Sequence, residues 1–295
     1  MASTFQNKYT SIGGITFSDF CCAGEIQYDR DNKEIAEGIG TLCHEYSHCS
    51  GLHDMYDWDL MDVGLYHPYS YGYTPAGYTA FEKMSLGWAT PTELDEHDVL
   101  VRDLTTMAHG GKSYIMRNKQ HPDEYFMLEN RQKEGWDRYI PSSGLLIYHI
   151  DYDANVWSSN SINSASAPHY HCTILPADDE LTYIGSDGRY SYAQLNGNPF
   201  PQPQVTSLNN TSHRLAKLYH NNTNGQPYMN REINGITKNN SLISFDYRSL
   251  TNRSHQDVVQ PQDKTLLRES FDKTTGVDIV TDLTAWDVIN AHYYH

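Results

Sequence analysis

The segment from His44 to Asp54, HEYSHCSGLHD, constrains this chain most strongly because it predicts both a helix and the point where that helix ends. Successive residues of a helix are about 100° apart, so His44 and His48 project within about 40° of each other. Gly51 stands where a chain leaving a helix takes the left-handed conformation, which glycine tolerates best. The pattern therefore predicts two imidazoles side by side on a helix, with a turn directly after them.

A helix from about Lys33 to Cys49 is predicted around this segment. Its apolar side chains recur at spacings of three and four residues, which is typical of a helix with one buried face. They are Ile35, Ile39, Leu42, Tyr46 and Cys49. The two histidines project away from this predicted core face. Gly38 and Gly40 each weaken a helix by about 1 kcal/mol relative to alanine, so glycine there indicates close packing against a neighbouring segment.

The histidine pair and the glutamate beside it form the set of side chains that a catalytic zinc ion requires. Two neutral imidazoles bind the metal, and Glu45, at about 100° from His44 on the helix, lies next to the open coordination position. Zinc lowers the pKa of water towards about 7, and Glu45 would act as the general base during attack on a peptide carbonyl. These residues predict zinc as the cofactor and peptide hydrolysis as the reaction.

A third protein ligand is expected, because catalytic zinc sites usually have three. Gly51 can end the helix and direct the following chain beneath the metal. Several side chains that follow could then reach the ion, and spacing alone does not choose among them. They are His53, Asp54, Asp57 and Asp59.

The rest of the chain predicts one further helix and then a series of strands. The helix is predicted from Pro75 to about Leu86, and residues 1–30 are predicted to form short strands and loops. The strands predicted after Pro91 are His97–Leu104, Ser113–Arg117, Tyr125–Asn130, Leu145–Asp151, Cys172–Leu175 and Ser241–Tyr247. The run Leu145–Ile150 is almost continuously apolar, which predicts a central strand buried on both faces.

Composition limits the partners of this chain. Its formal charge of −16 makes nucleic acid and anionic membrane surfaces unfavourable partners, because both would repel it. No run approaches the roughly 18 apolar residues of a membrane span, so none is predicted. The alternating oxygens of Asp151, Asp153 and Asn155 could offer ligands to calcium, but the glycine and terminal glutamate of an EF-hand loop are missing, and a solvated turn after a buried strand is the favoured interpretation. His149 lies within an apolar strand and is interpreted as a hydrogen-bonded core histidine.

The motifs along residues 12–248, taken in order, resemble the immune inhibitor A family of secreted bacterial metallopeptidases. The active-site pattern is carried by His44, Glu45, His48, Gly51, Leu52, Asp54, Tyr56 and Asp57, followed by the stretch WDLM that ends at Met61. Later similarities lie at Tyr73–Gly77, Glu82–Trp88, Glu124–Phe126, Glu129–Gln132, Gly135–Asp137 and Gly144–Asp151. His53 departs from the family pattern, which has proline at this position.

The resemblance implies an α+β protein in which the C-terminal part of a metzincin-like catalytic domain is followed by a β-rich domain. Residues 1–92 would form the catalytic core, truncated at its N-terminus, and residues 93–250 the β-rich domain packed on it. Residues 251–295 would form a linker and the start of a truncated β-sandwich domain. Asp54 would be the third zinc ligand, and Met61 would be the hydrophobic floor beneath the ligands, the Met-turn.

The resulting prediction is a secreted zinc endopeptidase that acts on protein or peptide substrates. Its family carries a twisted sheet before the active-site helix, and few residues precede His44, so the chain is also considered as an inactive fragment. The alternative from another class is a binding or adhesin-type module that retains an incomplete peptidase core. A zinc amidase of small molecules is ranked below both. The sequence predicts neither the cleavage specificity nor the oligomeric state.

Overall fold

Among the residues that the structure describes, more lie in strands than in helices. The computed structural model describes residues 3–5, 10–55, 58–65, 71–163, 169–180 and 194–250, and every structural statement below concerns these residues. Their mixture of helices and strands agrees with the predicted α+β class. The linker and sandwich strand predicted at residues 251–295 lie outside the described residues.

The elements are short and are numbered here in chain order. The strands are β1 (Ser3–Phe5), β2 (Thr10–Ile12), β3 (Ile15–Phe17), β4 (Phe20–Cys22), β5 (Ile26–Tyr28), β6 (Glu34–Ala36), β7 (Thr92–Glu93), β8 (Val99–Leu104), β9 (Tyr114–Arg117), β10 (Glu124–Arg131), β11 (Gly144–Asp151), β12 (Cys172–Ile174), β13 (Arg231–Asn239) and β14 (Leu242–Ser249). The helices are α1 (Ile39–Cys49), α2 (Ala80–Ser85) and α3 (Ala154–Ser158). Short 3-10 turns lie at Val63–Leu65, Met107–His109, Gly135–Tyr139, Gln194–Gly197 and Arg214–Ala216. None of the described helices is long and apolar enough to cross a membrane.

A five-stranded sheet in the order β12-β11-β10-β9-β7 forms the centre of the described fold. β10 and β11 pair antiparallel over their full lengths, from Glu124 opposite Asp151 to Arg131 opposite Gly144. Every residue of both strands is buried. Strands covered on both faces have continuous apolar sequences, so the prediction of a central buried strand at Leu145–Ile150 is confirmed.

Two apolar clusters cover the opposite faces of this sheet. Leu145 belongs to the first cluster, which extends to the three-stranded sheet β13-β14-β8 through Phe245. Its neighbour Leu146 points to the other face and belongs to the second cluster, with Leu52 and Met61. Both leucines are completely buried. The second cluster therefore packs the segment that follows the histidine helix directly against the sheet.

Helix α1 begins later than predicted and buries a different face. Residues Glu34–Ala36 form strand β6, paired with β5, in place of a first helical turn. The predicted core side chains are largely uncovered, with exposed fractions of 47% at Ile39, 46% at Leu42 and 63% at Tyr46. The buried residues of the helix are Gly40, Thr41 and Ser47. The prediction of a buried apolar face on this helix is therefore wrong for the described part of the chain.

Close backbone contacts at two glycines explain which face of α1 is buried. A Cβ atom on Gly38 would lie 2.1 Å from the carbonyl carbon of Gly72, and one on Gly40 would lie 2.0 Å from the carbonyl oxygen of Leu65. The N–H of Gly40 also donates to the Gly72 carbonyl at 2.9 Å. The helix thus packs its glycine side against another backbone, and its larger apolar side chains project elsewhere. The predicted close packing at these glycines is confirmed.

Helix α2 is shorter than predicted because a capping box sets its start. The Thr79 hydroxyl accepts a hydrogen bond from the Glu82 N–H, and the Thr79 N–H donates to the Glu82 carboxylate. The two bonds satisfy backbone donors that a helix start leaves without intrahelical partners. Residues 75–79, predicted as helix, are not helical, and there the Gly77 N–H donates to the Asp137 carboxylate at 2.8 Å.

Candidate metal centre

Helix α1 ends in a glycine turn that directs the chain back towards its own last turn. Gly51 has a φ angle of +93°. Its N–H donates to the His48 carbonyl at 2.9 Å, and the Leu52 N–H donates to the Ser47 carbonyl at 3.1 Å. This pair of bonds is a Schellman motif, which requires a left-handed residue such as glycine. The residues after Gly51 therefore return to the side of the helix that carries the histidines.

Three potential ligand atoms converge at this turn. The Nε2 atoms of His44 and His48 are 3.1 Å apart, and they lie 3.3 and 3.4 Å from Oδ1 of Asp54. Ligands about 2.1 Å from a tetrahedral metal ion lie roughly 3.4 Å from one another. The triangle formed by the two nitrogens and the oxygen therefore has the dimensions of one face of a zinc coordination sphere. The structure thus brings together the three residues that the resemblance implies as ligands.

Backbone carbonyls set the orientation of both imidazoles. The Nδ1 atom of His44 is 3.0 Å from the Leu60 carbonyl oxygen, and that of His48 is 2.9 Å from the Leu52 carbonyl oxygen. A carbonyl only accepts, so each Nδ1 is the donor. A neutral ring that donates from Nδ1 presents a lone pair at Nε2. Each Nε2 can therefore offer its lone pair to a metal ion beside the Asp54 carboxylate, and where a proton takes the place of the metal the same nitrogen donates to Oδ1 of Asp54.

Asn160 holds Asp54 in this arrangement through two hydrogen bonds. Its amide Nδ2 donates to Oδ2 of Asp54 at 2.6 Å, and the Asp54 N–H donates to Oδ1 of Asn160 at 3.0 Å. Asn160 follows helix α3 and has a φ angle of +49°. Sequence reasoning misses this residue because it lies 106 positions from Asp54 and no local pattern marks it. The paired bonds leave Oδ1 of Asp54 directed at the histidines.

The charges at the centre also favour a cation. Hydrogen bonds from His44, His48 and Asn160 hold the pKa of Asp54 well below its ordinary value. Burial lowers the pKa of His48, but the hydrogen bonds to Asp54 and Leu52 and the charges of Asp54 and Glu45 outweigh burial and raise it overall. The carboxylate is therefore ionised, and the site stabilises positive charge beside it. A divalent metal would replace the proton in that role.

The other candidates for a third ligand do not join this triad among the described residues. His53 is half-buried, and burial lowers its pKa. Asp59 is buried, and loss of solvent raises the pKa of its carboxyl to about 6. Asp57 lies outside the described residues. Asp54 is therefore the third ligand candidate that the geometry supports.

Two further predicted site residues lie next to the triad. Met61 is 1% exposed within the second apolar cluster. Its carbonyl accepts from the Met55 N–H at 3.1 Å, and the preceding residue, Leu60, supplies the carbonyl that orients His44. Glu45 is half-buried, and its charge contributes to the raised pKa of His48. The backbone of Leu60 and Met61 thus holds His44 and the segment after Asp54, and Glu45 lies within electrostatic reach of the centre.

A cleft of about 560 Å³ opens beside the turn that joins the ligands. Gly51 and His53 form part of its wall, and Phe81, Tyr152 and Trp157 supply aromatic surface. Arg117 and Asp123 add polar groups to the same lining. The cleft therefore combines apolar surface with a few polar groups, as ligand pockets do.

The residues considered for calcium have separate partners. The Asp151 carboxylate lies against histidine side chains, whereas the Asp153 carboxylate caps helix α3 by accepting from the Asn155 N–H at 2.8 Å. Calcium at these residues stays a prediction. His149 is 1% exposed and bonds through Nε2 to the buried Glu124 carboxylate at 3.0 Å, so its interpretation as a core histidine is confirmed.

Comparison of this chain with protein-family models, with curated proteins and with solved structures finds no match. The chemistry of the centre is therefore inferred from its own residues. Two imidazoles and one carboxylate are ligands that suit zinc, and the carboxylate of Glu45 directly follows His44 on the helix.

Proposed function

We propose that this protein is a secreted zinc-dependent endopeptidase with a metzincin-like catalytic core of the immune inhibitor A type. His44, His48 and Asp54 would bind the metal, and Glu45 would be the general base. The observation that carries the proposal is the convergence of two oriented imidazole lone pairs and one ionised carboxylate within 3.1–3.4 Å. Such a set of potential ligands is suited to a divalent cation, which would replace the protons through which the histidines bond to Asp54.

Each residue of the centre has a defined part in the proposed reaction. A bound zinc ion supplies Lewis acidity, which polarises the scissile carbonyl and lowers the pKa of water. Glu45 accepts a proton from the attacking water and returns it to the leaving amine. The Leu60 and Leu52 carbonyls keep the two imidazoles in one tautomer, and Asn160 keeps the Asp54 carboxylate aligned. The aromatic cleft beside Gly51 would receive a substrate side chain.

The proposal is tested by metal content and proteolysis in matched variants. Purified protein without an affinity tag is compared with His48→Ala and His53→Ala by plasma emission spectrometry and by turnover of casein. We expect His48→Ala to lose one zinc per chain and all cleavage, because a two-ligand site does not retain the metal. His53→Ala changes a histidine that lines the cleft but lies outside the triad, so it should keep the zinc content of the unmodified protein. Equal zinc and activity in all three proteins would contradict the proposal.

A second candidate, from another class, is a binding module with an inactive peptidase core. It is favoured by the uncovered apolar side chains of α1 and of the neighbouring hairpins, including Ile12, Phe17, Tyr28, Leu42 and Tyr46. Exposed apolar patches on soluble proteins often mark interaction surfaces. Zinc-loaded, folded protein that fails to turn over casein or any unstructured protein would favour this candidate over the endopeptidase.

A further inference from the structure

A second group of potential metal ligands lies at the end of the central strand. One carboxylate oxygen of Asp151 and one ring nitrogen each of His169 and His171 all lie within 4.8 Å of one another. Asp151 is the last residue of β11, and His171 directly precedes β12. The proposed peptidase chemistry does not use this cluster.

The strand backbone holds two of these residues in a fixed relation. The Asp151 N–H donates to the His171 carbonyl at 2.9 Å, and Nδ1 of His171 is 2.7 Å from the Asp151 carbonyl oxygen. Because the carbonyl only accepts, Nδ1 of His171 carries the proton and Nε2 carries the lone pair. The Asp151 side chain is 8% exposed, so a buried carboxylate is presented to the histidines from a rigid strand end.

His169 approaches the same carboxylate without a regular hydrogen bond. Its Nε2 lies 2.7 Å from Oδ2 of Asp151, yet this buried nitrogen has no hydrogen-bond partner of acceptable geometry among the described residues. The ring is stacked between His171, at 4.1 Å, and Tyr219, at 3.6 Å between centroids, and it lies at 8° to the His171 ring, so one imidazole would turn about its χ2 angle for both in-plane lone pairs to reach one ion. A nitrogen held close to a carboxylate oxygen but out of line for a hydrogen bond is suited to sharing a cation with it.

The loop that contains Tyr219 and His220 contacts the Asp151 carboxylate and is itself bonded to the sheet. Nε2 of His220 lies 3.2 Å from Oδ2 of Asp151. The backbone N–H groups of Tyr219 and His220 both donate to the buried Glu124 carboxylate, at 2.6 and 3.1 Å. The loop that carries these two residues is therefore fixed against the sheet, as outer-sphere partners of metal sites commonly are.

We propose that Asp151, His169 and His171 bind a second divalent transition-metal ion of the zinc class. Imidazoles with one carboxylate suit zinc, nickel or copper, whereas calcium and magnesium prefer sites made of oxygen alone. The ion would be structural, since it joins the end of β11 to the start of β12. Between these ends lies Asn160, which positions Asp54, so the second ion stabilises the segment that supports the first centre.

The test counts metal ions in variants that separate the two centres. Tag-free full chain is stripped of metal, equilibrated with Zn²⁺ at micromolar concentration, and its bound metal is measured by plasma emission spectrometry. We expect two zinc ions in the wild type, one in the His44→Ala/His48→Ala double variant and one in the His169→Ala/His171→Ala double variant. Asp151→Asn keeps the shape of the side chain and should also lose one ion.

His121→Ala is the matched control, because His121 is exposed and stacks on His220 but lies outside the triad. It should retain two ions. Circular dichroism verifies folding of each variant, and Asp151→Asn replaces the histidine variants if they do not fold. Wild-type zinc content in the folded second-centre variants, or an equal loss in His121→Ala, would overturn the proposal.

A stability measurement tests the structural role without any use of activity. In the His44→Ala/His48→Ala background, Zn²⁺ should raise the Tm, because an ion that binds only the folded chain stabilises it. Further replacement of His169 and His171 by alanine should abolish that rise. An unchanged Tm in the first background would contradict the second site, and it would leave the proposed peptidase centre untouched.

Discussion

At the scale of single residues, the centre depends on which atom of each ligand carries a lone pair. Two carbonyls, from Leu60 and Leu52, fix the tautomers of His44 and His48. Asn160 orients the Asp54 carboxylate by donating a hydrogen bond to its Oδ2 atom, which leaves Oδ1 towards the histidines. The helix spacing of the histidines is readable from sequence, but these supporting partners are set by the folded backbone. They decide whether the ligands converge.

Asn160→Gly should weaken zinc binding while keeping the backbone relaxed. Asn160 has a φ of +49°, which glycine adopts without strain, so the variant removes the two side-chain bonds to Asp54 alone. Loss of such an outer partner costs about 10–100-fold in metal affinity. Competition with a chromophoric chelator measures the affinity. Asn240→Gly, at a φ of +54° on the β13–β14 turn, is the control and should bind zinc as the wild type does.

At the scale of elements, helix α1 is where sequence reasoning succeeds and fails most clearly. The motif positions and the glycine that ends the helix follow from local rules, since helix periodicity and left-handed turns depend on neighbouring residues. The residue at which the helix starts and the face that it buries do not follow from local rules. They depend on Gly38 and Gly40 meeting the backbone at Gly72 and Leu65, contacts that lie far apart in sequence.

Gly40→Ala should destabilise the protein although alanine is the better helix former. Helix propensity alone predicts a gain of about 1 kcal/mol. The added Cβ atom, however, would lie 2.0 Å from the Leu65 carbonyl oxygen, and relief of such a clash costs about 1–3 kcal/mol. Urea unfolding measures the difference. Gly77→Ala is the control, because its Cβ meets only an Asp137 oxygen at 3.5 Å; a more stable Gly40→Ala variant would contradict the packing described here.

Buried carboxyls near the centre predict a pH dependence of stability. Burial, and then the charge of Asp59, raise the pKa of Glu82 well above its ordinary value of 4.5. An acid whose pKa is higher in the folded chain contributes stability below about pH 4.5 and loses it as the pH rises through the folded pKa. The free energy of unfolding should therefore fall above pH 4.5.

Glu82→Gln should reduce that decline and be more stable than the wild type at neutral pH. Glutamine retains an acceptor for the Thr79 N–H of the capping box but carries no charge. Urea unfolding at a series of pH values between 4 and 8 measures the slope. A variant that loses stability in parallel with the wild type would show that Glu82 is not the titrating group.

At the scale of the whole molecule, the sheet connects the segment of the proposed metal centre to the β-rich part of the chain. The second apolar cluster contains Leu52, Met61 and Phe81 from the first part, and it contains Met127 and Leu146 from the sheet. The strands β8, β9, β10, β11, β12 and β14 are predicted to within two residues of their bounds, because apolar strand patterns depend on local sequence, whereas β7 and β13 are not predicted. The order in which the strands pair and the role of Asn160 at Asp54 are not predicted from the sequence, because both depend on contacts between distant segments.

Leu146→Ala and Leu145→Ala form a matched pair that tests this connection. Both side chains are completely buried, on opposite faces of β11, and either loss should cost about 2–5 kcal/mol. Because Leu146 packs in the same cluster as Leu52 and Met61, its loss should also weaken zinc affinity more than the loss of Leu145 does. Urea unfolding and chelator competition measure the two quantities. Equal zinc affinities of Leu146→Ala and Leu145→Ala would contradict the expectation that packing in the second cluster positions the zinc ligands.

Cleavage of casein by Glu45→Gln tests most directly whether Glu45 is the base of the proposed zinc endopeptidase. Glutamine matches glutamate in size, leaves His44, His48 and Asp54 in place, and cannot accept the proton. We expect the variant to keep the zinc content of the wild type and to lose at least about 100-fold in cleavage rate. Full cleavage by zinc-loaded Glu45→Gln would contradict the proposed role of Glu45 as the general base.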